Sequence, residues 1–386
     1  MQRAATLYAR SVNHLLEFLR GHRDDMVAEL RSFVEHESPS TDKAQLDGFA
    51  DLLARRAEQL TGGRARVIGQ EAAGGHVHVE VGEGDRPILL LGHYDTVWPV
   101  GTLDRMPFRL KDGVARGPGA LDMKAGLVQA LWALHALREE GRAIPALVLL
   151  VNSDEELGSP TSRALIEAEA RRAAVALVLE PSQAGALKTA RKGVGMFNLE
   201  VTGRAAHAGA DPLAGISAIE ELARLLLALR AQTDGGNGTT INIGVIRGGT
   251  RANVVAAQAS AEVDVRVVTN AEAERATAAI LGLRPEHPGA VLRVTGGLNR
   301  PPMERTAQIA ELFEHARRLA AEIGFPLEEA MTGGGSDGNF AAAVGAPVLD
   351  GLGAVGGGAH ALTEHVRVEH MAPRAALLAR LIETLG

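Results

Sequence analysis

Five short segments of the 386-residue chain carry side chains able to hold a metal or move a proton. They are His93-Tyr-Asp95-Thr96, Asp122 within Gly117-Pro-Gly-Ala-Leu-Asp-Met-Lys124, Asp154-Glu155-Glu156, Glu180-Pro181, and the glycine-rich stretch Gly353–Glu364 that holds His360. Singly, each has a plainer reading as a solvated acidic loop or a structural histidine. The chain has no cysteine, which excludes disulfides, thiolate metal sites and a cysteine nucleophile, so any metal must sit on His, Asp and Glu. Imidazole with carboxylate suits zinc, with cobalt or manganese as substitutes, whereas magnesium prefers oxygen alone. The charge balance favours two ions. Two divalent cations bring +4, Asp122, Glu156 and Glu180 bring -3, and the residual +1 is what a deprotonated bridging water neutralises. Asp95 follows His93 by two residues, so in an extended chain it can accept the second ring N–H of that imidazole. Glu155 and Glu156 are adjacent and point to opposite sides of an extended chain. One can therefore bind metal while the other serves as the general base for hydrolysis.

For these groups to meet, the fold must bring five separated segments to one place, and the hydrophobic pattern does so. The apolar runs Pro87–Gly92, Ala146–Val151, Val175–Leu179 and Ala346–Leu349 read as buried strands, preceded by Arg66–Gly69 and Val77–Val81. Helical patterns cover residues 4–36 and 44–60, Lys124–Glu140, Thr161–Arg172, Glu304–Ile323 and Pro373–Leu385. This alternation predicts an α/β layer with a largely parallel sheet between helices. Four of the five segments follow such strands, where the functional groups of open α/β sheets gather. Asp122 instead precedes the helix Lys124–Glu140.

From about Val194 the order becomes β-α-β-β-α-β, the split ferredoxin-like α+β unit. The expected organisation is a catalytic metal-binding domain, residues 1–193 and 302–386, interrupted by a lid or dimerisation domain at 194–301. With 40 Lys plus Arg against 47 Asp plus Glu, the net charge of -7 disfavours nucleic acid as a partner. No apolar run approaches the ~20 residues of a membrane span. Arg3, Arg10 and Arg20 break the N-terminal apolar pattern, so a cytoplasmic protein without membrane attachment is expected. His76 and His78, on one strand face, and His365 and His370 are expected at the surface.

The segments Gly92-His-Tyr-Asp-Thr-Val97, Gly117–Gly126, Asp154-Glu-Glu-Leu-Gly158, Leu179-Glu-Pro-Ser182, Ala206-His-Ala208 and Thr332-Gly-Gly-Gly-Ser-Asp337, with the stretch around His360, resemble a dizinc metallopeptidase family. That family contains glutamate carboxypeptidase, acetylornithine deacetylase and succinyl-diaminopimelate desuccinylase. The likeness spans nearly the whole chain in order and is strongest to glutamate carboxypeptidase. It implies two zinc ions bridged by Asp122, with His93 and Glu180 completing one site and Glu156 and His360 the other. It also implies Glu155 as general base, Asp95 as the partner of His93, and a cis peptide between Asp122 and Met123.

The same resemblance implies a homodimer formed through the inserted domain, with His207 stabilising the tetrahedral intermediate, often across the interface. Asn253 and Arg266 match residues that contact the substrate carboxylate, and Lys188 and Arg300 match basic pocket positions more loosely. The activity implied is cleavage of an amide bond beside a free carboxylate, in a small peptide, by a glutamate-carboxypeptidase-like exopeptidase. An N-acyl-amino-acid deacylase is the alternative, because the scissile bond and the carboxylate on the leaving amine are the same. A non-catalytic binding module is a distant third, since all five ligands and Glu155 are present. Neither GxGxxG after a strand nor GxxxxGK[ST] occurs, so a nucleotide site lacks its phosphate cradle.

Overall fold

The computed structural model describes residues 14–386, so the part of the expected first helix before residue 14 lies outside the described residues. The chain divides into two compact units. One takes the chain up to Ala190 with Arg305–Thr332 and Ser336–Gly386; the other takes Arg191–Glu304 with Gly333–Gly335.

The first unit is built on a six-stranded sheet in the order Arg64–Ile68, His76–Val81, Leu147–Asn152, Ile88–His93, Val175–Val178, Val348–Leu349. The last four run parallel, and the first two join antiparallel. Every residue of Ile88–His93 and Leu147–Asn152 is buried. Burial on both faces is why these strands read as continuous apolar runs. The helix Ala125–Glu139 is buried almost all round, from Ala125 through Leu134. It is packed by Arg23–Glu35, Lys43–Thr61 and Met371–Leu385. Asp42 starts Lys43–Thr61 by accepting the N–H groups of Ala44 and Gln45, and Gly62 ends it in the left-handed conformation.

The histidines of the strand His76–Val81 overturn a sequence expectation. His76 and His78 are fully buried, because this strand is flanked on both sides rather than lying at an edge. His76 Nε2 lies 3.0 Å from Thr161 Oγ1, and His78 Nε2 lies 3.1 Å from Glu169 Oε1. His365 is only partly exposed, since its strand His365–Arg367 pairs with Val114–Arg116; His370 is likewise partly exposed.

The second unit is the β-α-β-β-α-β arrangement. Its strands Thr240–Gly248, Gln258–Val267, Gly193–Thr202 and Val291–Arg300 form one antiparallel sheet in that spatial order. Burial alternates along Gly193–Thr202, and Phe197, Leu199 and Val201 face the helices Ala218–Arg230 and Asn270–Leu281. Both helices open with a Ser/Thr-x-x-Glu sequence. Ser217 accepts from Glu220 N and Thr269 from Glu272 N, caps worth ~1 kcal/mol each. The two units have separate hydrophobic cores.

Candidate metal centre

Three parallel strands deliver their carboxyl ends to one edge of the first sheet. The register sets His93 opposite Asn152 and Leu91 opposite Val178, so Glu180, two residues past Val178, stands level with His93. Leu147–Asn152 runs on into the 3-10 turn Glu155–Leu157. Close packing fixes Glu180: a side-chain carbon at Gly126 or at Gly353 would meet the carbonyl oxygen of Leu179 at 2.2 Å and 2.1 Å. Asp122 sits in the irregular turn Ala120–Lys124 ahead of the helix Ala125–Glu139, and its peptide bond to Met123 is cis, as the resemblance implies. His360 has a left-handed backbone, φ 61°, which is uncommon for a residue other than glycine.

The five side chains form two triads that share Asp122: His93 with Asp122 and Glu180, and Glu156 with Asp122 and His360. His93 Nε2 lies 3.3 Å from Asp122 Oδ1 and 3.5 Å from Glu180 Oε1. His360 Nε2 lies 3.4 Å from Asp122 Oδ2 and 3.1 Å from Glu156 Oε1. Asp122 thus presents one oxygen to each triad. Around a tetrahedral zinc with bonds of about 2.0–2.1 Å, neighbouring ligand atoms stand roughly 3.3 Å apart, whereas a charge-assisted hydrogen bond spans ~2.7–2.9 Å. The observed spacings match the edges of such a tetrahedron, and the N/O donor set fits a pair of zinc-like ions.

Asp95, fully buried, holds the two halves together. Its backbone carbonyl lies 3.0 Å from His93 Nδ1 and its Oδ1 lies 3.3 Å from the same atom. Its two carboxylate oxygens also accept the N–H groups of Glu155 and Glu156, each at 3.2 Å. Ser40 donates to Oδ2 at 2.7 Å. No motif pointed to Ser40, 55 residues before Asp95 in sequence. Glu155 and Glu156 stand on a 3-10 turn rather than the extended chain the sequence suggested. Adjacent side chains there diverge by about 120°, which still separates them.

The carboxylates set the protonation of the cluster. Burial opposes charge on His93, but Asp122, Asp95 and Glu180 hold its pKa well above the ordinary value. Asp122 and Glu156 push His360 up to about 10 against the effect of burial. Burial alone would raise Asp122, yet His360 and His93 hold it below the ordinary carboxylate range. Burial wins at Glu156 and raises it.

Of the other residues singled out in the sequence, Lys188 belongs to the first unit. It is buried, and its backbone pairs with Asp350. His207, Asn253, Arg266 and Arg300 belong to the second. His207 is exposed, and its Nδ1 accepts the N–H groups of Gly209 and Ala210, each at 3.1 Å, which leaves the ring proton on Nε2. The segment of Asn253 pairs with that of His207, Ala208 N donating to Asn253 O at 3.0 Å. Arg266 is held by both oxygens of Asp264, with Nε and Nη2 each at 2.9 Å. Arg300 is buried, with Nη1 3.0 Å from Asn299 Oδ1.

Comparison with known proteins decides the family. The model of peptidase family M20/M25/M40 matches residues 89–384. Carboxypeptidase G2 from Pseudomonas sp. is 31% identical over 97% of this chain and 92% of its own length. The chain belongs to peptidase family M20/M25/M40. Succinyl-diaminopimelate desuccinylase from Thioalkalivibrio sulfidiphilus is 28% identical over 84% of this chain and 94% of its own. The crystal structure of aminopeptidase PepT from Bacillus cereus shares the fold, with a TM-score of 0.75 at 23% identity over 94% of this chain and 98% of that one. As an M20/M25/M40 peptidase the chain is an enzyme, a hydrolase of the metallopeptidase and amidohydrolase kind, not a binding module. The two triads are its candidate site for metal ions. Among the described residues no helix is long and apolar enough to cross a membrane.

Proposed function

We propose that this M20-family chain is a dizinc hydrolase that cleaves the amide bond of a small peptide beside a free carboxylate, releasing a C-terminal amino acid. The observation that carries this reading is the pair of donor triads sharing Asp122, with Glu155 on the turn that also bears Glu156. Asp122, His93 and Glu180 would hold one ion, and Asp122, Glu156 and His360 the other; cobalt or manganese could replace zinc. When bound, the metal pair supplies Lewis acidity, polarising the scissile carbonyl and making water acidic enough to lose a proton near neutral pH.

Glu155 takes the proton from the attacking water and returns it to the nitrogen as the C–N bond breaks. Asp95 fixes the His93 tautomer and the Glu155–Glu156 turn through the hydrogen bonds it accepts. His207 donates from Nε2 to the carbonyl oxygen as negative charge builds there. Asn253 and Arg266 hold the substrate carboxylate. Lys188 and Arg300 read an acidic side chain, a role their burial favours over that of solvated charges. The protein works in the cytoplasm as a homodimer. Likeness to carboxypeptidase G2 over nearly the whole chain supports the peptidase reading, while likeness to a desuccinylase supports the second one, an N-acyl-amino-acid deacylase.

A hydrolysis screen of the zinc-loaded protein separates the two. It offers dipeptides and N-acyl amino acids in which the C-terminal residue and the acyl group vary independently. Turnover of dipeptides ending in Glu ahead of acetyl and succinyl amino acids is the expected result; the reverse order makes the enzyme a deacylase.

A further inference from the structure

Glu364 is a carboxylate with no exposed surface. Burying a charge is costly unless hydrogen bonds replace the water it loses. Here four donors do so. Oε1 accepts the N–H groups of Leu121 at 2.8 Å and Asp122 at 3.1 Å. Oε2 accepts the N–H of Gly119 at 3.0 Å and the indole Nε1–H of Trp98 at 2.8 Å. Three of these donors belong to the turn that presents Asp122, and their N–H groups converge as they would on a bound anion. The fourth lies three residues beyond Asp95.

The carboxylate's own segment is equally fixed. Glu364 N donates to Ala361 O at 2.8 Å, and Ala361 N to Gly358 O at 3.0 Å. The next residues form the strand His365–Arg367, which pairs on one side with Gly356–Gly357 and on the other with Val114–Arg116. His360 lies on this anchored turn, four residues before Glu364, in its left-handed conformation. One buried side chain therefore ties together the loop after Asp95, the Asp122 turn and the His360 loop. Removing any one of its donors leaves part of a buried charge unpaired, so the three loops hold one another in place.

We propose that Glu364 is a positioning residue of the metal centre: by bonding the backbone of the Asp122 turn from the His360 loop, it fixes the spacing between Asp122 and His360 at which an ion is held. The proposal rests on the dizinc reading above. Glu364 touches neither substrate nor metal in this role. Glu364→Gln keeps the size of the side chain but turns an NH2 group toward N–H donors, so one pair of them loses its acceptor. Trp98→Phe removes a single donor and keeps a ring, and it carries the test if the first variant does not fold.

Zinc binding to the metal-free protein is followed by calorimetry, and the visible spectrum of the cobalt-loaded protein reports ligand geometry. The wild type takes up two equivalents. Glu364→Gln binds one of them at least ~10-fold more weakly, within the range that loss of a ligand-orienting partner costs, and its cobalt bands shift. Trp98→Phe moves both readouts in the same direction by a smaller amount. If either folded variant keeps both affinities and an unchanged cobalt spectrum while only its unfolding midpoint falls, Glu364 is structural and the proposal is overturned. Fewer than two equivalents in the wild type overturns the dizinc reading, and the positioning role with it.

Discussion

Glu155 and Glu156 are chemically identical neighbours on one short turn, and their surroundings divide the work between them. Glu156 lies 3.1 Å from His360 Nε2 in the shared cluster, while Glu155 is outside both triads. Glu155→Gln is expected to bind both metals with wild-type stoichiometry and lose about 10²–10⁴-fold in kcat, the usual contribution of a positioned base. Glu156→Gln loses metal first. Elemental analysis beside kcat decides the assignment, and the opposite pattern reverses the two roles. The histidines carry a second expectation. Metal ligation needs neutral imidazole, yet in the metal-free protein His93 is held well above its ordinary pKa and His360 up to about 10. His360 is then protonated at pH 7, so loading with metal releases its proton beside the one that water loses, and binding weakens as pH falls. The sign for the metal-free fold is the reverse. Raised histidine pKa values stabilise it fully below about 6.5, and this stabilisation is lost as pH rises through the folded values, near 10 for His360. Calorimetry in buffers of different ionisation enthalpy measures the protons; release at pH 7 no greater than the one proton that water loses means the His360 imidazole was already neutral. At this scale the sequence revealed the residues that end strands, because strand ends carry position. Ser40 carries none and becomes visible only when the chain folds it against Asp95.

Elements decide how tightly those residues are held. Glu180 follows a carbonyl, that of Leu179, against which Gly126 and Gly353 both pack with no room for a further carbon. Gly353→Ala places that carbon 2.1 Å from Leu179 O and 2.9 Å from Glu180 O, so backbone must move. It is expected to cost ~1–3 kcal/mol of stability, as overpacking does, and to weaken the His93–Glu180 site more than the other. Gly69→Ala, with nothing within 4 Å of the new carbon, is the control and should stay within about 0.5 kcal/mol. Denaturant unfolding and zinc titration of both variants provide the check, and equal effects would remove packing at Leu179 as the device that sets Glu180. Long elements were legible to within a few residues: Lys124–Glu140 was expected and Ala125–Glu139 is observed, because an apolar period over four turns leaves little choice. Two- and three-residue strands outside the main sheet were not. Arg109–Lys111 is wholly exposed and Gly356–Gly357 has no side chains to pattern, so neither carries a signal. His76 and His78 failed for a related reason, since alternation marks a strand face but not what covers it.

The described residues are organised around two hydrophobic cores, one in the unit that carries the metal triads and one between the second sheet and its helices. A surface change in the second unit should therefore leave the first able to fold and bind metal. His207 is the residue on which this separation can be tested. It is exposed, anchored through Nδ1 and ready to donate from Nε2, and it sits in a different unit from all five proposed ligands. His207→Ala is expected to load both metals and unfold at the wild-type midpoint, yet lose about 10²–10³-fold in kcat, the usual cost of one oxyanion donor. If the proposed homodimer shares its sites, mixing His207→Ala with Glu155→Gln under conditions that exchange subunits restores activity. In the mixed dimer the site of the His207→Ala chain keeps its own Glu155 and takes its donor from the other subunit. If His207 serves its own chain instead, each site of that dimer lacks either the base or the donor, and activity stays at the sum of the two variants. Exchange itself is verified by mass spectrometry of differently tagged chains. Proven exchange without recovery assigns His207 to its own subunit and leaves the metal chemistry of the first unit untouched.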